Sequence, residues 1–504
     1  MTDKILFWID LGITQFGIAK YLKKKNNYDF YAIYDVNPKL KSEFQDQTII
    51  DFEKVWFFWD HVSKITGTPD MEYLKLFEQK YSIDLWKLAL DDRNLFKFNP
   101  FYKFNTDEIL LITEKTCKFF ESILDEIKPD FLVIRVTDFH RNYLLAELCK
   151  AKKITILMLM ESRLGFKASI GTEFTKIDPS WNLNSSEKPI QNISQLQQYL
   201  EKHNRLKQTK NQISSGVGYS IFKKIKASLN WLNNTSNLEY NEQYIHFGTS
   251  PLKVFKVFLM AELKRVIRKR FIDNFFIKEV PQNEKFIFYP LQVEPERTVS
   301  FDVFFTNQIE IIKNIAKSLP VGYKLYVKEH YNMIFRSWRS ISDYKEILNL
   351  PNVKLLHPSI PPKPVLKNCS LVVTLSSTAG LDAAFQNKAS IVLSDVMYSH
   401  LPSVYRLKTW DELPEKIKLM LNIKINENDV IEFVNLIENN TFSFDLFGHY
   451  NEISNNFHQG GFAVGDKISM KKIDSFINSH KKTFELLALE HFKKINQYNQ
   501  FKSE

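Results

Sequence analysis

Apolar positions along the chain fall into two series of short hydrophobic runs alternating with helical periodicity, separated by a long polar stretch. The first series opens with an apolar run at 5–9, a turn holding Gly12 and Gly17, a helical pattern to Lys25 and a second run at 30–34, which together predict a βαβ opening. Further on, KPDFLVIRV (128–136) and KKITILMLM (152–160) are continuous apolar runs of the kind that strands buried on both faces require, with a helical segment at 142–150 between them. From about 176 to 282 the composition shifts to Asn, Ser, Gln and Lys and the alternation stops, predicting an inserted, mainly helical connector. It resumes at 283–424, with strands at 285–291, 323–330, 370–375 and 389–394 and helices at 307–318 and 379–386. The remainder, 425–504, has helical periodicity around 430–437 and 471–501 and is expected to pack back across the first domain. The predicted fold class is α/β, with two doubly wound Rossmann-like domains (1–175 and 283–424), a helical insertion and a helical tail.

Composition narrows this little until charge is considered. A hydrophobic fraction of 44% and a charged fraction of 25% describe a globular chain, and 504 residues exceed one ordinary core. Cys117, Cys149 and Cys369 are too dispersed for a zinc knuckle or a disulfide scaffold, so a reducing, cytoplasmic setting is expected. No apolar stretch reaches the roughly 18 residues of a membrane span. The formal charge of +10 calls for an anionic partner. Zinc-finger, RNP-type and KH-type signatures are lacking, so nucleic acid is not expected. Segment 251–276, PLKVFKVFLMAELKRVIRKRFIDNFF, places Lys253, Lys256, Lys264, Arg265, Arg268, Lys269 and Arg270 around an apolar stripe. Such a helix either lies in an anionic headgroup region or packs on a domain with its charges solvated.

The candidate chemistry collects at predicted strand ends. In LVVTLSSTAGLDAAFQNKASIVLSD (371–395) a buried strand runs into a small, hydroxyl-rich turn and then a helix. Unpaired amides at a helix start attract anions, Ser376, Ser377 and Thr378 offer hydroxyls, and Gly380 would let a ligand approach the backbone. The same residues also serve as ordinary helix caps, with Asp382 a first-turn acid. Lys328, Glu329 and His330 end another strand, a set suited to phosphate neutralisation and leaving-group protonation. The Pro-rich loop after 285–291 carries Glu296 and Arg297 toward the same edge.

The succession YPLQVEPERT, SLPVGYKLYVKEH, LPNVKLLHP and SSTAGLDAA, with a following loop at Tyr398, resembles the capsule polysaccharide biosynthesis family across 283–424. Members of that family are similar to two-domain nucleotide-sugar glycosyltransferases of the GT-B type, with both domains facing a cleft. The resemblance implies a nucleotide-sugar donor, a glycan or glycolipid acceptor, and donor-phosphate contacts from Lys328, His330, Ser376, Ser377 and Thr378. It places Asp382 at the acidic position associated with a ribose or sugar hydroxyl. The family often has His-Pro where His330 precedes Tyr331, and Glu where this chain has the shorter Asp382.

A base or cation-stabilising group is expected from the first domain, where Asp10, Asp138, His140 and Glu161 follow strands. With no Asp-x-Asp clamp after a strand, neither metal nor cofactor is expected. Two rivals stand beside this reading. One is a catalytically degenerate scaffold of a polysaccharide assembly complex. The other is a dinucleotide enzyme, since Gly12, Gly17 and Asp35 imitate a Rossmann opening, although Thr14 occupies the position of its second glycine.

Overall fold

The computed structural model describes residues 2–503 apart from 64, 175, 184–186, 204–242, 281, 297–306 and 459–467. Strands β1 (Lys4–Asp10), β2 (Asp29–Asp35), β3 (Lys54–Phe57), β4 (Phe131–Arg135), β5 (Thr155–Glu161) and β6 (Lys167–Gly171) belong to the first half. Strands β7 (Phe286–Pro290), β8 (Lys324–Lys328), β9 (Val353–Leu356), β10 (Leu371–Thr374), β11 (Ser390–Val392) and β12 (Val404–Arg406) follow, and β13 (Phe442–Ser443) lies in the tail.

Two sheets result among the described residues. The first runs β13-β6-β5-β4-β1-β2-β3, parallel from β5 to β3, with β6 antiparallel to β5 and β13 antiparallel to β6. The second runs β12-β11-β10-β7-β8-β9 and is parallel throughout. Its strand order is that of a Rossmann sheet, reversing direction between β7 and β10. The first sheet has the same reversal between β1 and β4. Ligands in such sheets bind beyond the carboxyl ends of the strands at the reversal.

Strand β1 shows why an unbroken apolar run is needed here. Leu6 and Trp8 enter one core with Phe58, Phe120 and Ile123, while Ile5, Phe7 and Ile9 enter another with Phe16, Phe30 and residues of the tail. Both faces are covered, so polar residues appear only at the strand's ends.

The tail completes the second of these cores. Phe457, Ile473, Phe476, Phe484 and Leu487 are buried there, and β13 extends the sheet. Asp178 accepts from Tyr498 at 2.8 Å and pairs with Lys494 at 3.1 Å, tying the last helix, Lys481–Ser503, to the loop beyond β6. This helix crosses Thr14–Leu22 at Gly17, where an added Cβ would lie 2.2 Å from the Phe484 ring. His449 meets the Thr14 hydroxyl at 3.2 Å, and His458 meets the Leu11 carbonyl at 3.1 Å. The tail therefore roofs the turn where a dinucleotide pyrophosphate would sit, and Gly17 serves helix packing. The dinucleotide reading is corrected on this ground.

Among the described residues, no helix is long and apolar enough to cross a membrane. Helix Pro251–Phe275 rests on the second domain through Ile272, with Phe276 immediately after it. Arg265 donates to the Ile334 carbonyl at 3.0 Å, and Arg268 to those of Ser337 at 3.2 Å and Trp338 at 2.7 Å. These two cations face the protein, which divides the basic set seen in the sequence.

Candidate functional site

Three loops leave the carboxyl edge of the second sheet at its reversal. Leu291, just after β7, donates its N–H to the Lys328 carbonyl at 2.9 Å, keeping the ends of β7 and β8 together. The Gln292 side chain bonds Ser376 Oγ at 3.0 Å, joining the β7 exit to the β10 exit. Lys328 and Ser376 thus stand two strand spacings apart, roughly 10 Å, on one edge.

Lys328 is 8% exposed, and its ammonium has no hydrogen bond or ion pair among the described residues. Burial pulls its pKa down to about 8, partly offset by Glu329. Its neighbour turns inward. Glu329 is fully buried, pairs with Arg339 at 3.0 Å and accepts from Tyr344 at 2.8 Å. Arg339 also binds Glu294 at 3.0 Å and the Gln292 carbonyl at 2.5 Å. Glu329 is therefore an internal brace that sets the β7 and β8 exits, which corrects its assignment as a donor contact. His330 caps the short helix Tyr331–Arg336 by accepting from Asn332 at 3.2 Å, leaving Nε2 without a partner among the described residues. Crowding in the cleft, then the Lys328 and Arg339 charges, hold its pKa below the ordinary imidazole value, while the ring keeps an open side.

The Ser376–Thr378 turn is built by its own bonds. Ser377 N donates to Thr374 Oγ1 at 3.2 Å, and Ser377 Oγ accepts from Ala379 N at 3.2 Å, a local cap. Thr378 makes no side-chain cap and is half-buried. Gly380 has a different reason from the expected ligand approach: a Cβ there would sit 2.8 Å from the Tyr398 ring and hydroxyl. Tyr398, fully buried, donates to the Ser377 carbonyl and pins the turn from behind. Asp382 is half-buried with no hydrogen bond or ion pair among the described residues, and burial pushes its pKa up to about 7. An unpartnered carboxylate in this position is equipped to accept from hydroxyl groups.

The first domain closes over this edge. Arg163, at positive φ just beyond β5, donates to the Ser376 carbonyl at 2.6 Å. Arg93 lies over the Phe139 ring and reaches the Pro295 carbonyl at 3.5 Å. Glu296 stands at the rim, where burial raises its pKa and Arg336, Arg93 and Arg163 oppose the rise. Arg297 lies outside the described residues. The two carboxyl edges consequently meet, with Arg93, Arg163 and Arg336 gathered around Glu296.

The first-domain candidates separate sharply. Arg135, at the end of β4, pairs with Asp10 at 3.1 Å and Asp138 at 3.0 Å, so both carboxylates are fixed at the reversal point. Asp138 also contributes to the field at Glu296. Glu161 ends β5, two residues before Arg163, and is half-buried. His140 is fully buried with neither ring nitrogen hydrogen-bonded among the described residues, and burial drives its pKa down to about 4. A ring enclosed in this way reaches no substrate in the cleft, which corrects its nomination as a catalytic group. Asp35 is likewise committed, to Arg141 at 2.7 Å and Trp59 at 2.9 Å.

Sequence reading overlooked Arg93, Arg135 and Arg336. Arg135 is the last residue of an apolar strand and was visible as such. Arg93 sits in an irregular segment and Arg336 ends the short helix Tyr331–Arg336, with no strand-end signal to mark either.

No curated protein matches the chain. Among solved structures, the UDP-GlcNAc 2-epimerase of Methanocaldococcus jannaschii is similar at 13% identity, covering 86% of this chain and 98% of that one, with a TM-score of 0.27. The β-Kdo 2,7-transferase KpsC of Thermosulfurimonas dismutans is similar at 12% identity, covering 70% and 87%, with a TM-score of 0.30. The N-terminal domain of Candida albicans trehalose-6-phosphate phosphatase is similar at 11% identity, covering 91% and 97%, with a TM-score of 0.29. Over residues 186–402, taking in Lys328, the Ser376–Thr378 turn and Asp382, the chain matches the model of the capsule polysaccharide biosynthesis protein family.

Proposed function

We propose that this chain is a GT-B-like glycosyltransferase that moves a sugar from a nucleotide-activated donor to a growing surface polysaccharide or glycolipid acceptor. The observation that carries the reading is the buried Lys328 side chain, whose ammonium has no hydrogen bond or ion pair among the described residues, on the same sheet edge as the hydroxyl-rich turn at the β7/β10 reversal. A cation held at that cost in desolvation is matched by an anionic ligand group, and a diphosphate or phosphodiester supplies one. Ser377 and Thr378 donate to the phosphate oxygens, Asp382 accepts from a ribose or sugar hydroxyl, and Arg163 holds the turn in place from the opposite domain. As the glycosidic bond breaks, negative charge grows on the phosphate, where Lys328 and the Ser377 and Thr378 hydroxyls stabilise it without requiring a metal. With Nδ1 accepting from Asn332, a neutral His330 carries its proton on Nε2 and would donate it in a hydrogen bond to the leaving phosphate. Across the cleft, Asp138 and Glu161 are the candidates for deprotonating the acceptor hydroxyl.

The family match and the arginines gathered around Glu296 support this assignment. Calorimetric titration with UDP-, GDP-, CMP- and CDP-sugars tests it, followed by turnover with and without EDTA. Binding of one donor class, weakened by Lys328→Ala and Ser377→Ala, and turnover that survives EDTA are expected. Absence of binding to every donor would leave a degenerate assembly scaffold as the better description. Binding that neither substitution alters would move the donor elsewhere.

A further inference from the structure

We propose that the outward face of helix Pro251–Phe275 lies in the headgroup region of an anionic phospholipid bilayer and holds the cleft beside it. Leu252, Phe255, Leu259, Leu263, Val266 and Ile267 recur at helical spacing and are 48 to 80% exposed. Single exposed apolar residues are ordinary, but six on one stripe about 24 Å long are not. The opposite side is the one that packs: Ile272 is buried in the second core, and Arg265 and Arg268 are bonded to the carbonyls of Ile334, Ser337 and Trp338. Apolar residues thus occupy both faces of this helix, and among the described residues the inner set is the one with protein against it.

Charge selects the partner. Lys256 and Arg270 lie along the outward stripe and Lys264 at its border; all three are exposed and have no ion pair or hydrogen bond among the described residues. The acids nearest that stripe are engaged, Glu262 with Arg265 at 2.6 Å and Asp273 with Lys269 at 2.6 Å. An isologous pairing of two copies would bring these cations together with no free carboxylate between them. An anionic lipid surface accepts the apolar side chains and neutralises the cations at once. The clamp on Ile334–Trp338 has a positional consequence, because that segment directly follows the Lys328–His330 strand exit. A helix lying in the interface therefore keeps the cleft close to the membrane plane, where a lipid-linked acceptor would be presented. The anchoring itself does not depend on the donor assignment.

Co-sedimentation of the full chain with vesicles of phosphatidylglycerol and phosphatidylcholine, against vesicles of phosphatidylcholine alone, is the test. Binding to the anionic vesicles is expected to weaken about fivefold for each cation neutralised, hence about 100-fold for Lys256→Gln, Lys264→Gln and Arg270→Gln together. The same charge change on the tail, Lys471→Gln, Lys481→Gln and Lys482→Gln, should leave most of the binding. Leu259→Ser with Leu263→Ser should also release the protein while its melting temperature stays near wild type, since both positions are exposed. Failure of the wild type to sediment, equal loss from the two charge sets, or unaltered binding of the serine variant would overturn the proposal. So would a wild-type dimer in light scattering that the serine substitutions dissociate.

Discussion

Among single residues, the cleft holds two groups, one basic and one acidic, that burial displaces toward their neutral forms. Burial brings the Lys328 pKa down to about 8, so its positive charge is largely in place at neutral pH and disappears as the pH rises through about 8. Donor affinity should fall across that range, and Lys328→Ala should both weaken binding by about 1.5–3 kcal/mol and abolish the alkaline limb. Calorimetry between pH 7 and pH 9.5 checks this; an alkaline limb that persists in the alanine variant would place the titrating group elsewhere. Asp382 has the reverse linkage. Its folded pKa of about 7 exceeds its unfolded value, so the folded state binds the extra proton and stability declines as the pH climbs toward and past 7. Asp382→Asn should therefore raise the melting temperature at pH 8, change it little at pH 4, and weaken donor binding. His140 shows where residue-level reading fails. It follows the β4 exit just as Asp138 does, yet its ring turns inward and is sealed, whereas Asp138 meets Arg135. Position after a strand identifies the edge of a sheet but does not say which way the first helical side chain points.

Elements were legible in proportion to how completely burial dictated their composition. Strands β1, β4, β5, β7, β8 and β10 stood out because both faces are covered, and every interior residue had to be apolar. Strand β13 left no such trace: Phe442 and Ser443 pair with β6 at the sheet edge, a relation set by the long return of the chain. The turn at Ser376–Thr378 was recognisable as a strand-to-helix junction, but the reason for Gly380 was not, because Tyr398 lies 18 residues on and enters only in three dimensions. Gly17 repeats the lesson with a partner from the far end of the chain. Gly17→Ala would drive a methyl group into the Phe484 ring, at 2.2 Å from its nearest atom, inside a fully buried contact. Overpacking of this kind costs about 1–3 kcal/mol, so a lowered melting temperature is expected. The paired substitution Gly17→Ala with Phe484→Leu should recover part of the loss. A Gly17→Ala variant as stable as wild type would mean that the tail helix does not press on this turn.

For the molecule as a whole, the distribution of buried imidazoles predicts which part yields first to acid. His140 lies among the helices over the first sheet, while His449 and His491 lie between that sheet and the returning tail; burial holds each near a pKa of about 4. Unfolded, all three would titrate near 6.5. Between those limits the unfolded chain binds more protons than the folded one, so stability is fully present above about pH 6.5 and is lost as the pH falls toward 4. The loss is on the order of 3 kcal/mol for each fully buried ring by pH 4. Raised carboxyls such as Asp382 oppose this trend, and Asp382 belongs to the second domain, where among the described residues His330 is the one imidazole pulled down to about 4, against three in the first domain and tail. Acidification from pH 7 to 5 should consequently lower the melting of the first domain and tail ahead of the second, seen in calorimetry as a broadened or divided transition. His491→Leu removes one of the rings from the interior of the tail helix and should flatten the pH dependence of the earlier transition. Its neutral-pH stability should stay within about 1.5 kcal/mol of wild type, as for a shape-conserving core exchange. If the acid sensitivity is unchanged in that variant and in His140→Leu, proton uptake by these imidazoles is not what opens the fold, and the carboxylates that tie the tail down, Asp178 first among them, become the groups to examine.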